Sequence, residues 1–134
     1  MKYIIACAFL VLALNSCKKE ENTVIEPLPA GSTLASGSFI SSVHPTTGTA
    51  KIIQDSANKL KLVLEHFNAD SGPDLRIWFS SDINATDYVE AAVLTSFSGN
   101  FTFTLPAQLN YSVKKNVLIW CEDFSVLFGY ATLQ

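Results

Sequence analysis

Cysteine and histidine are scarce in this 134-residue chain, and their scarcity bounds the chemistry it can do. The cysteines are Cys7, Cys17 and Cys121, and the histidines are His44 and His66. None of these forms the close pair that nucleates a metal site. A Gly-rich phosphate loop, a nucleophile elbow and a zinc-protease motif are all missing. No nucleophile–base arrangement can be read, so a hydrolase is the remotest reading and enzymatic turnover is not expected. Basic residues form no stripe interleaved with aromatics, which argues against nucleic acid as a partner. Long apolar runs are also absent. The longest, Ile4 to Leu14, is about 11 residues, roughly 16 Å as a helix at 1.5 Å per residue. It falls short of a ~30 Å hydrocarbon layer.

That short run has a different use. Lys2 precedes it and Leu14-Asn15-Ser16-Cys17 follows it. A positive residue, a greasy core and a small residue before the cut are the parts of a cleavable export signal over residues 1–16. Leu14-Asn15-Ser16-Cys17 resembles the lipobox of bacterial lipoproteins, which implies that Cys17 carries the lipid and anchors the chain to a membrane. Several acyl chains on one terminus hold firmly, at about 0.8 kcal/mol per buried methylene. Lys18 after the Cys, in place of Asp, resembles the sorting signal for the outer membrane. A location in the cell envelope, facing the periplasm or the cell surface, is expected.

Residues 17–34 read as a lipidated tether. Lys18-Lys19-Glu20-Glu21-Asn22 is charged, and Glu26-Pro27-Leu28-Pro29-Ala30-Gly31-Ser32 is too rich in Pro and Gly for a packed element. Residues 35–134 then form one domain, large enough for a single core and expected to be a monomer. Loss of Lys2 leaves eight basic residues against twelve acidic ones, a net charge of −4. With Cys7 cleaved away and Cys17 acylated, Cys121 is alone and cannot form an internal disulfide.

The domain reads as strands. Residues 37–43 precede a Pro45-Thr46-Thr47-Gly48 turn, and 49–54 follow it. Residues 60–67 alternate with period two, placing Leu60, Leu62, Leu64 and His66 on one side and Lys61, Val63, Glu65 and Phe67 on the other. Asp70-Ser71-Gly72-Pro73-Asp74 turns the chain into Leu75–Phe79. Phe101-Thr102-Phe103-Thr104-Leu105 shows one face in, and Val117–Cys121 is apolar on both faces. Ser125–Phe128 and Tyr130–Leu133 close the domain, with Gly129 as an expected bulge. Thr86–Leu94 is ambiguous between a helical turn and a strand, and Ala107-Gln108-Leu109 suggests a short turn. Strand signals every 8–12 residues predict an all-β fold, an antiparallel β-sandwich of jelly-roll-like form.

Cys121 is the candidate reactive group, either a redox or metal-binding thiolate or a packed core residue. Glu122 and Asp123 beside it would disfavour a thiolate by like-charge repulsion. His44, His66 and Cys121 make a weak candidate for a soft metal site. Asp70, Asp74, Glu122 and Asp123 fall mostly at turns, where solvated acids are expected. The loops Asp82–Asp87 and Ser96–Asn100 would be the contact surface if the domain only binds.

Gly37-Ser38-Phe39, His44, Thr47-Gly48-Thr49-Ala50, Leu60 to Phe67, Gly72-Pro73-Asp74-Leu75 and Ile119-Trp120-Cys121 occur in that order. Together with the ending Phe124–Ala131, the series resembles the DM-thirteen domain from Gly37 onward. The resemblance implies an extracytoplasmic β domain with a characteristic cysteine, here Cys121, and a proposed role in electron transfer around it. Cycling of one thiol would need a sulfenate, a partner thiol, or a bound metal or haem. The cofactor and the redox partner protein are not identified by any residue.

Overall fold

Alternating apolar and polar side chains make a stable strand only where one face is turned away from water. Eight segments of this chain meet that condition. The computed structural model describes residues 29–134; the expected signal, the lipobox-like segment and most of the expected tether lie outside the described residues. The strands are β1 Ser32–Ser41, β2 Thr46–Gln54, β3 Leu60–Ala69, β4 Leu75–Ser80, β5 Val89–Val93, β6 Ser98–Thr104, β7 Asn116–Cys121 and β8 Val126–Thr132. Among the described residues there is no helix. β1 begins at Ser32, ahead of Ala35, and the ambiguous stretch resolves into β5.

All pairings are antiparallel, in the order β5-β4-β7-β8-β1-β2-β3-β6. The all-β fold holds, but the two packed sheets are one continuous sheet that is nearly closed, like a barrel. The reason lies in β1. Its residues Ser32–Ser38 pair with β2, while Phe39–Ser41 pair with β8, so one strand belongs to both halves. Inward side chains from every strand meet in one core that includes Ile52, Leu62, Leu64, Phe67, Leu75, Ile77, Phe79, Val117, Ile119 and Phe128. Each such large apolar side chain stabilises the fold by roughly 1.5–3 kcal/mol relative to exposure. Leu105, Leu109 and Tyr111, on the connection from β6 to β7, pack against one end of it.

Five strand pairings carry register shifts, and two of these decide how the candidate residues face. In β3 the register with β6 shifts between Leu64 and Phe67. His66 takes φ +48°, and its backbone N–H donates to Asn100 Oδ1 at 2.7 Å. An extra residue in a strand reverses the alternation beyond it. His66 is therefore exposed, and Phe67, expected on the outer side, is buried in its place. In β8 the register with β7 shifts between Ile119 and Trp120, so the expected bulge falls at Phe128 and Gly129. There the constraint is space. A Cβ on Gly129 would lie 2.5 Å from Thr46 Cβ and 2.8 Å from the Ile40 carbonyl oxygen.

The connections divide between two ends. β1–β2, β3–β4, β5–β6 and β7–β8 are joined at the Cys121 end; β2–β3, β4–β5, β6–β7 and the chain termini of the domain lie at the other. At that other end Asp87 accepts from Ser80 Oγ at 2.8 Å, Ser81 N at 2.9 Å and Lys114 Nζ at 2.7 Å. The Lys114 ammonium, followed by the Ser81 and Ser80 hydrogen bonds, holds the Asp87 carboxyl well below its ordinary range.

Gly129→Ala should lower stability by about 1–3 kcal/mol through overpacking against Thr46, measured by urea unfolding; a neutral result would mean that the strands separate freely there. For Asp87, a depressed pKa in the folded state gives stability that is present above the unfolded value of ~3.9. That stability fades as pH falls through the folded value. Asp87→Asn should therefore lower the urea midpoint at neutral pH, and the gap from wild type should narrow in acid. A gap that stays constant with pH would contradict this assignment.

Candidate functional site

Cys121 is the last residue of β7 and faces inward, opposite Leu75 of β4 and Val126 of β8. Its phase follows from the strand: Val117, Ile119 and Cys121 alternate into the core, while Leu118 on the other face is covered as well. The thiol is free and fully buried, at 0% exposure.

Three connections close over this end. Ser42 N donates to the Phe128 carbonyl at 2.8 Å, Val43 N to that of Leu127 at 3.1 Å and His44 N to that of Phe128 at 3.3 Å. Glu122 N donates to the Asp74 carbonyl at 2.9 Å, tying the β7–β8 turn to the β3–β4 segment. Gly72 lies directly on the core, since a Cβ there would meet Leu75 Cδ2 at 2.8 Å and Phe128 Cζ at 3.1 Å. Only a residue without a side chain lets Gly72-Pro73-Asp74 press down so far.

The His44 ring packs on Phe128 in a tilted arrangement, with centroids 4.1 Å apart and planes at 33°. Its Nδ1 lies 3.2 Å from Asp70 Oδ2. Phe128 in turn belongs to the core cluster that contains Cys121. The β8 bulge thus turns Phe128 inward, where it serves as floor for His44 and wall for the core. The imidazole's hydrogen bond goes to Asp70, and its ring lies on Phe128.

The structure therefore gathers His44, Gly72-Pro73-Asp74-Leu75, Cys121 and Phe128-Gly129 at one end of the barrel. His66 is not among them; it is exposed on the β3 bulge. Among the described residues no group of three or more His, Cys, Asp or Glu is placed to hold a metal ion. The four carboxylates separate too. Asp70 meets His44, while Asp74 is bound by Arg76 at 2.7 Å and 3.0 Å. Glu122 and Asp123 are exposed in the turn. Arg76 also holds the Asp74 carboxyl below its ordinary range. The Asp82–Asp87 and Ser96–Asn100 loops fall at opposite ends and form no common surface. Cys17 lies outside the described residues.

Asp70 was legible only as a turn acid, because its partnership with His44 spans 26 positions in sequence. A second group went unread: Tyr88, Trp78 and Trp120, with Glu90, on the outer face of β4, β5 and β7. The outward phase of Arg76 and Trp78 could have been read from the alternation of β4, but their neighbours depend on strand pairing.

As it stands, the Cys121 end can offer a thiol only if its covering segments open. The thiolate is the reactive form, and a sulfur sealed in hydrocarbon meets no solute.

No curated protein and no solved structure matches the chain. A family model described as "Electron transfer DM13" matches residues 38–133, almost the whole described domain, including the covering segments and the strand that ends at Cys121. A match of that extent means that the chain belongs to the DM13 electron-transfer family.

Proposed function

We propose that this protein is a lipid-anchored, extracytoplasmic electron-transfer module, with Cys121 as its redox group. The observation that carries this reading is convergence. His44, the Gly72-Pro73-Asp74 segment and Phe128, far apart in sequence, are assembled over the strand that ends at Cys121. Local opening of these segments exposes the sulfur, since end connections open at lower free energy than the core strands they cover. Attack of the Cys121 thiolate on a disulfide of the partner protein forms a mixed disulfide as the partner's S–S bond breaks. The freed partner sulfur leaves as a thiolate and takes up the proton that Cys121 lost, so no outside oxidant is needed. Cys17 holds the module at the envelope, on the outer membrane, through its acyl chains.

One observation favours a second reading, a non-catalytic binding module in which Cys121 is packing. The thiol has 0% exposure within an apolar cluster. Cys121→Ala would then cost about 1–3 kcal/mol of stability and change nothing else.

Thiol titration of the native protein, repeated after mild oxidant and after denaturation, separates the two. The electron-transfer reading expects Cys121 to react in the native state, slowly, and to be blocked by oxidant. Reaction only upon global unfolding leaves the packing reading. The anchor has its own test: metabolic labelling with a radioactive fatty acid should mark the wild-type protein and not Cys17→Ser. Equal labelling of both would defeat lipidation at Cys17.

A further inference from the structure

Chemistry that Cys121 does not use lies on the outer face of the barrel. In β4, Leu75, Ile77 and Phe79 point into the core, which turns Arg76 and Trp78 outward. Trp78 lies across from Glu90 of β5, and Arg76 from Trp120 of β7, so the two tryptophans are diagonal neighbours on one face. Their rings stack at 5.1 Å and 17°, and Tyr88 stacks on Trp78 at 3.6 Å and 12°. The central indole is only 4% exposed, whereas Tyr88 is 46% exposed. Trp78 Nε1–H donates to Glu90 Oε2 at 3.3 Å. Arg76 holds both Glu90 oxygens, at 3.0 Å and 3.1 Å, and fixes the carboxylate beside the indole.

Electron-rich rings in van der Waals contact are well coupled for one-electron transfer. Loss of an electron makes an indole N–H far more acidic than in the neutral ring, about as acidic as a carboxylic acid, so its proton can pass to a carboxylate already hydrogen-bonded to it. We propose that Tyr88, Trp78 and Trp120 form a one-electron relay, with Glu90 taking and returning the Trp78 proton. A high-potential one-electron oxidant at the exposed rim removes one electron from the stack. The hole settles on Trp78, whose Nε1 proton moves to Glu90, leaving a neutral indolyl radical and a carboxylic acid. One electron from a reductant, with return of that proton, restores both groups. No bond between heavy atoms forms or breaks. The relay's use in the cell rests on the electron-transfer reading, but its chemistry is independent of Cys121.

The test uses the detergent-solubilised full chain, a photogenerated ruthenium(III) polypyridyl as oxidant and time-resolved absorption as readout. The chain has two tryptophans, so Trp120→Phe leaves Trp78 as the sole indole. That variant should still give the neutral tryptophanyl radical, although Trp78 is nearly sealed from solvent. In the same background, Glu90→Gln keeps a hydrogen-bond acceptor but no base, and deprotonation of the radical cation should slow by about a hundredfold. Should that variant fail to fold, solvent deuterium should still slow deprotonation in the wild type. A Trp120→Phe protein that folds without yielding a Trp78 radical overturns the relay, as does decay unchanged by Glu90→Gln, or by deuterium where that variant does not fold. An inert Cys121 beside a working relay defeats only the Cys121 reading; a reactive Cys121 beside a silent stack defeats only the relay.

Discussion

Everything in this domain depends on β1 pairing with two partners along its length. Its first seven residues complete the ladder with β2 and its last three the ladder with β8, so the two halves share one backbone. Two separate sheets would meet only through side chains. Here the link is hydrogen-bonded, and β8 must pass so close to β2 that Gly129 lies against Thr46. A side chain at that point would force the strands apart. The seam is therefore held by an absence of atoms as much as by contacts.

From that seam follows the position of Phe128. The bulge beside Gly129 changes the phase of β8 and turns the ring inward, where it meets Gly72 and carries His44. His44 is then within reach of Asp70, and three connections become a cover over the Cys121 end. The same device works in β3, where a bulge puts Phe67 in the core and His66 in solvent. Each of these two bulges decides the environment of one histidine. Neither histidine reaches metal-ligand company, because one is spent on a carboxylate and the other stands outside.

The barrel also keeps its sulfur and its electron-rich rings on opposite faces of one strand. Cys121 and Trp120 are adjacent in β7, so period-two geometry sends one to the core and the other to the surface. The inward group is protected by hydrocarbon, and the outward group is stacked on Trp78. A DM13-family domain with this plan has a shielded thiol and a stacked aromatic array, exposed at its Tyr88 rim, on adjacent residues of one strand.

The period-two pattern in residues 60–67, 75–79 and 117–121 was enough to read an antiparallel all-β domain, since burying one face of a strand is a local demand. That Cys121 is the one cysteine among the described residues was legible by counting, and its inward phase by its alignment with Val117 and Ile119. The ordered residues from Gly37 to Ala131 already pointed to the family. What the linear pattern could not contain was any bulge away from a glycine, because the shift at His66 is set by pairing with Asn100, 34 positions away. Long-range pairing also decided that two sheets are one, that His44 meets Asp70, and that Tyr88, Trp78 and Trp120 stack. By itself the sequence determined which side chains avoid water and that the strand domain contains a single cysteine. Tertiary structure decided who stands beside them, because strand register is a choice among distant partners that no local periodicity records.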